Sequence, residues 1–290
     1  MKTMRLSDGG ELAYRESGSG QPLLVIHGWG LSGAAFSAQL RTLGNDFRVI
    51  VPDLRGHGQS SDYQPGGFGR LADDLAELID GLAAGPAVVV GWSLGALVAW
   101  DLALRHGAAR TAGVLSVDMV PRLLNDDRWP HGLREGAGRA AFVRSMGRMR
   151  SSWSDFTRVF VPKILAADGP RDAEMLGWLY GIAEANRGSS MAEIWGDMVE
   201  QDICATLPAI DAPCLHIYGE RSQLYQPAAA TWLAEHVPGL QVIAFEESGH
   251  APHLEEPHRF DRTITEFARS AAHAAVGKNS RADAGPNRIH

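Results

Sequence analysis

Ser93 lies in the run GWSLGA (91–96), with three valines just before it and the apolar stretch LVAWDLAL just after. A serine hydroxyl is a poor nucleophile at neutral pH and needs a base. The Gly-x-Ser-x-Gly pattern alone is weak, because glycine and serine often meet by chance. Between a short apolar strand and a long apolar helix, it predicts a strand–turn–helix elbow in which Gly91 and Gly95 permit close approach of strand and helix. Such a turn exposes the Ser93 hydroxyl at the C-terminal edge of a sheet, where the next helix also aims its amide donors. The plainer alternative is a glycine-rich packing loop.

The base must come from eleven histidines, most of them structural or merely exposed. His250, in FEESGHAPHLEEP (245–257), directly follows a strand and a Ser-Gly turn, which places it at the same sheet edge as Ser93. His253 and His57 are expected to be non-catalytic, the first partly exposed near the last helix and the second in a loop. His216, mid-strand, reads as a satisfied core histidine. Acyl transfer also needs donors for the developing oxyanion. The elbow supplies the Leu94 amide. IHGWG (26–30) leaves another strand with glycines on either side of Trp29, so the Trp29 amide is the second donor. One more residue calls for a partner: Asp118, in LSVDMVPR (115–122), is a carboxylate within an apolar run. An unpaired buried charge is costly, so it needs a cationic or N–H neighbour.

These residues sit at the ends of short apolar runs: PLLVIHG (22–28), FRVIVPD (47–53), PAVVVGW (86–92), GVLSVDM (113–119), CLHIYGE (214–220) and LQVIAFEES (240–248). Most are continuous rather than alternating, as parallel strands covered on both faces are. Helical spacing separates them. Leu71, Leu75, Leu78, Ile79 and Leu82 form one stripe, Phe260, Ile264 and Phe267 another, and residues 94–104 are apolar almost all round. The fold class is therefore α/β, a mostly parallel doubly wound sheet. MRLSDGGELAYRES adds an antiparallel hairpin at its edge.

The alternation stops over 121–204, where helical stretches carry Trp129, Met146, Met149, Trp153, Met175, Trp178, Met191, Trp195 and Met198. This stretch reads as an inserted helical cap on a core of 1–120 and 205–274, with 275–290 a disordered tail. Packing of cap on core accounts for more than half of those Trp and Met residues. The others suggest an apolar pocket of adaptable shape.

A net charge of −7 argues against a nucleic-acid surface, and the arginines of RSMGRMR (144–150) read as a solvated helix face. No apolar run approaches the ~20 residues needed to span a bilayer. Without an apolar leader, and with Cys204 and Cys214 reading as reduced thiols, a cytoplasmic protein is expected. No His/Asp/Glu cluster has metal-ligand spacing; neither metal nor cofactor is expected.

HGWG, DLRGHGQS, GWSLGA and SGHAPHLEEP occur here in the order and spacing of the α/β-hydrolase superfamily, and the resemblance covers nearly the whole chain up to the tail. HGWG with GWSLGA looks most like the pimeloyl-carrier-protein methyl ester esterases and related small carboxylesterases. The resemblance implies Ser93 as nucleophile, His250 as general base and acid, the Leu94 and Trp29 amides as oxyanion hole, and a helical cap where the Trp/Met-rich segment falls. Asp53, in the second motif, is then a structural loop residue. One departure matters. The commonest place for the triad acid is the loop after the seventh strand, and here YGERSQLYQP (218–227) puts Ser222 where an aspartate would stand. Some relatives, including one class of haloalkane dehalogenases, carry the acid at the end of the sixth strand, the position of Asp118. Asp118 is favoured, Glu220 is the alternative, and a site with no acid remains open.

The expected activity is hydrolysis of a carboxylic ester with an apolar acyl group, through a serine acyl-enzyme and on a small-molecule substrate. A lactonase, thioesterase or C–C bond hydrolase would use the same residues. A cofactor-free haloperoxidase would share the triad, though the long cap argues against it. A non-catalytic receptor on the same fold is the alternative from another class.

Overall fold

The computed structural model describes residues 1–134, 138–169 and 172–282. Eight strands form one sheet: β1 (Lys2–Arg5), β2 (Glu11–Ser17), β3 (Pro22–Ile26), β4 (Arg48–Pro52), β5 (Ala87–Trp92), β6 (Thr111–Val117), β7 (Cys214–Gly219) and β8 (Gln241–Phe245). Their spatial order is β1-β2-β4-β3-β5-β6-β7-β8. The β1–β2 hairpin is antiparallel and joins the sheet antiparallel to β4, while β4 through β8 run parallel. In a parallel strand buried on both faces, successive side chains enter opposite cores. Leu24 and Ile26 accordingly pack on one side of the sheet, with Leu23 and Val25 on the other. This is why the strands read as unbroken apolar runs.

The helices before the insertion are α1 (Ser37–Thr42), α2 (Phe68–Gly81) and α3 (Leu94–His106). The leucine stripe of α2 is its buried face, and α3 is buried nearly all round. Between β6 and β7 lie α4 (Arg139–Ser151), α5 (Trp153–Phe160), α6 (Ala173–Glu184) and α7 (Gly188–Val199), and no strand among the described residues. α4 packs on α7 and α5 on α6, and α7 also touches α2. α8 (Pro227–His236), the single turn α9 (Pro252–Glu255) and α10 (Pro257–Ala282) complete the helices of the described residues. Phe260, Ile264 and Phe267 of α10 fill the core opposite α2 and α3.

Structure persists further toward the C-terminus than composition indicated, since α10 continues through 275–282. Alanines in RSAAHAAV (269–276) are strong helix formers and carry the helix past its apolar stripe; propensity does not explain the last turn, where VGKNS is poor in helix formers. The remainder of the expected tail, 283–290, lies outside the described residues. No described helix is long and apolar enough to cross a membrane.

Candidate active site

Parallel strands all end at one edge, so residues just past the ends of β3, β5, β6, β7 and β8 converge there. Ser93 follows β5 with φ 55° and ψ −120°. Side chains other than glycine rarely adopt positive φ, and holding one there costs about 1–3 kcal/mol. The surroundings enforce it. A Cβ on Gly91 would stand 2.1 Å from the Gly95 carbonyl oxygen, and one on Gly95 2.4 Å from that of Ile26. Both glycines are needed for α3 to start this close to the sheet. The Ser93 amide continues the sheet ladder, donating to Val117 O at 3.0 Å.

Asp118 follows the neighbouring strand β6 and also has positive φ, 41°. Its amide donates to Ile217 O at 2.7 Å. The carboxylate is 2% exposed and has partners on both oxygens. Oδ1 accepts from the Gly219 amide at 3.2 Å. Oδ2 accepts from Ser222 Oγ at 2.7 Å and lies 2.7 Å from His250 Nδ1. His250 is equally buried. Glu220 is exposed at the end of β7; Asp118 is the carboxylate on the imidazole. Ser222, which stands where the family most often carries an aspartate, donates to that carboxylate and itself accepts from the Leu224 and Tyr225 amides, both at 3.3 Å.

The turn carrying His250 is pinned from several sides. Trp92, next to Ser93, donates its indole N–H to His250 O at 2.6 Å. Glu255 accepts from the Gly249 amide at 2.8 Å and from the Ala166 amide at 2.7 Å, so one carboxylate spans the histidine turn and the segment after α5. Burial raises the Glu255 pKa, opposed by those amides.

Gly28 packs against Ser93, for a Cβ on it would meet the Ser93 Cβ at 3.3 Å. The turn after β3 therefore lies beside the elbow. Two buried histidines hold it. His27 Nε2 accepts from the Leu54 amide at 2.9 Å, so its proton is on Nδ1, which donates to Gly28 O at 2.8 Å. That carbonyl shares a planar trans peptide with the Trp29 N–H, so fixing the oxygen fixes the direction of the amide. His57 Nε2 accepts from the Gly30 amide at 3.2 Å, leaving Nδ1 to donate to Arg55 O at 3.3 Å. Burial depresses the pKa of both, strongly for His57, and each remains a neutral acceptor. Leu94 is the first residue of α3 and its amide has no intrahelical acceptor. Asp53 has a scaffolding role, accepting from Arg15 and from the Gly33 and Gln59 amides.

Two further histidines, His216 and His253, are buried away from the reacting groups. His216 meets Ser116 Oγ at 2.9 Å through Nδ1, and burial pushes its pKa down to about 4. His253 departs from expectation: it is 1% exposed, not partly exposed. Its ring stacks on Phe36 at 4.4 Å and abuts Trp92 at 4.5 Å edge-on. Neither of its nitrogens has a partner, and burial, then His250, brings its pKa down to about 3.

Ser93 opens into a cavity of about 200 Å³ beneath the inserted helices. Trp195 and Met198 line it, but so do Trp29, Phe142, Phe156 and Phe160. The sequence points to Trp and Met for this pocket and carries no such signal for the phenylalanines. Of those, Met149 and Met191 are buried in the core and Trp178 is 39% exposed. The arginines of RSMGRMR are exposed, Arg148 at the cavity mouth.

Residues 23–263 match the family described as "Alpha/beta hydrolase family". The chain is 30% identical over 257 residues to the pimeloyl-[acyl-carrier protein] methyl ester esterase of Chromobacterium violaceum, covering 88% of this chain and 97% of that one. Among solved structures, an esterase from Exiguobacterium antarcticum superposes with a TM-score of 0.85 at 22% identity, over 92% of this chain and 98% of that one. A thermophilic esterase from Thermogutta terrifontis gives 0.81 at 28% identity, over 93% and 98%.

Proposed function

The chain belongs to the alpha/beta hydrolase family, and we propose that it hydrolyses carboxylic esters with apolar acyl groups through an acyl-enzyme on Ser93. The observation that carries this is the buried Asp118–His250 pair at 2.7 Å, at the same sheet edge as a serine held at positive φ on a strand–helix elbow. In the proposed reaction, the Ser93 hydroxyl attacks the ester carbonyl while His250 Nε2 takes its proton. Asp118 holds the Nδ1–H tautomer and stabilises the imidazolium that forms. The Trp29 and Leu94 amides receive the oxyanion. His250 then protonates the leaving alcohol, activates a water, and the acid departs from Ser93. The chemistry needs no cofactor.

The aromatic cavity supports an apolar acyl group, and residues 121–204 are read as a cap that forms it. The named relatives act as esterases in their own right, which supports the same bond class here. A cytoplasmic location is part of the reading; Cys204 and Cys214 are both free thiols.

The test is turnover of p-nitrophenyl esters of increasing acyl length, with a lactone and a thioester alongside, by wild type and Ser93→Ala. The proposal expects ester turnover that exceeds the other two and disappears in the variant. Absence of turnover, together with no labelling of Ser93 by a fluorophosphonate, would overturn the hydrolase reading and leave the non-catalytic receptor.

A further inference from the structure

Asn186 lies between α6 and α7, within the inserted helices, and is 6% exposed. Its side-chain amide reaches into the active-site turns. Nδ2 donates to Gly30 O at 2.9 Å and, at 3.3 Å, to Leu31 O and to Ile182 O near the end of α6. Oδ1 accepts from the Gly58 amide at 2.9 Å. The orientation is unambiguous, because a backbone N–H only donates and a carbonyl only accepts.

These bonds complete a framework around the Trp29 amide. The peptide before Gly30 is held through its N–H on His57, and the peptide after Gly30 through its carbonyl on Asn186. Gly30 itself has φ 76°, a conformation that favours glycine. Gly58, on the other side of Asn186, neighbours His57 in sequence. A single buried amide therefore ties the inserted helices to the Trp29 turn and to the loop carrying that turn's own support.

We infer that Asn186 is a positioning residue for the oxyanion hole, through which the inserted helices set the Trp29 amide. This rests on the hydrolase reading above. It assigns to the cap a part in transition-state stabilisation distinct from forming the acyl pocket. Losing a whole oxyanion donor costs about 10²–10³ in kcat, and a misaimed donor loses part of that.

Asn186→Asp keeps the acceptor for Gly58 and removes the donor to Gly30. Asn186→Ala removes both. Turnover of p-nitrophenyl butyrate is measured per active site, by titration with a fluorophosphonate, so that unfolded protein does not register as lost activity. Inhibition by butylboronic acid, whose tetrahedral adduct places an oxygen in the oxyanion hole, is measured alongside. Both variants are expected to lose about 10- to 100-fold in kcat with KM changed less than about 3-fold. The Ki for butylboronic acid should rise in parallel with the fall in kcat/KM. A lower Tm with unchanged kcat per site would overturn the inference, making Asn186 a stabilising residue alone. So would a raised KM with unchanged kcat, an unchanged Ki, or an Asn186→Asp variant with wild-type kcat. A wild type that turns over no ester and is not inhibited would refute the hydrolase reading itself.

Discussion

Moving the acid from one loop to the next provides a demanding test of the Asp118–His250 geometry. Asp118→Asn leaves the shape intact, and triad precedent sets the loss near 10⁴ in kcat, about 5.5 kcal/mol. Adding Ser222→Asp to that variant should recover part of it. Ser222 Oγ and His250 Nδ1 each lie 2.7 Å from the same Asp118 oxygen, so they are at most twice 2.7 Å, about 5.4 Å, apart. At a trigonal angle about that oxygen the separation is about 4.7 Å. A carboxylate at 222 extends one C–O bond, about 1.2 Å, beyond the position of Oγ, which leaves an oxygen about 3.5 Å from Nδ1. Once the amide now at 118 swings away from the imidazole to make room, a loop adjustment of less than 1 Å closes a hydrogen bond. The Leu224 and Tyr225 amides, which now donate to Ser222, would face the new carboxylate. We expect the double variant to exceed Asp118→Asn by about 10²-fold in kcat/KM on a p-nitrophenyl ester, roughly half the lost free energy. A double variant that folds, by circular dichroism and Tm, yet is no more active than Asp118→Asn would refute the reasoning.

Acid should destabilise the protein well before its carboxylates titrate. His253 and His216 are held neutral, with pKa values near 3 and 4, against about 6.5 in an unfolded chain. Between those limits the unfolded state binds more protons, so stability falls as pH drops below about 6.5. At pH 5 each histidine removes about 2 kcal/mol. Urea melts at pH 7.5 and 5.0 should show the difference, and His253→Phe should reduce it; equal midpoints at both pH values would contradict it. The cavity sets a limit on acyl length. Each buried methylene contributes up to about 0.8 kcal/mol, and a volume of about 200 Å³ equals roughly seven water volumes. kcat/KM should therefore climb with acyl length and level off near six or seven heavy atoms, with Leu224→Trp shifting the plateau to shorter chains. A profile that is flat from acetate onward would exclude the cavity as the acyl site.

What was legible in the sequence was whatever depends on neighbours along the chain. The strands declare themselves because both faces are buried, and GWSLGA because the elbow requires glycines within two residues of Ser93. Asp118 could be singled out because a carboxylate in an apolar run has to find a partner. Ser222 carried no such signal. It reads as a missing acid, and its bond to Asp118 depends on where two loops meet in space. Asn186 and His253 were hidden for the same reason. Nothing around Asn186 in the sequence points to a turn more than 150 residues away, and the Pro and Glu residues flanking His253 imitate an exposed helix start. Composition points to Trp and Met for the cavity, whereas the spacing along α4 and α5 brings Phe142, Phe156 and Phe160 to it. Helix propensity likewise carries α10 beyond its apolar stripe.

A covalent mechanism on Ser93 served by Asp118 is tested by mass analysis of the protein quenched during turnover of a p-nitrophenyl ester, with the adduct mapped by peptide. One acyl group is expected, on the peptide containing Ser93, forming at the wild-type rate in Glu220→Gln and several orders of magnitude more slowly in Asp118→Asn. Release of p-nitrophenol with no adduct on Ser93 at any quench time, or slow acylation in Glu220→Gln with normal acylation in Asp118→Asn, would contradict it.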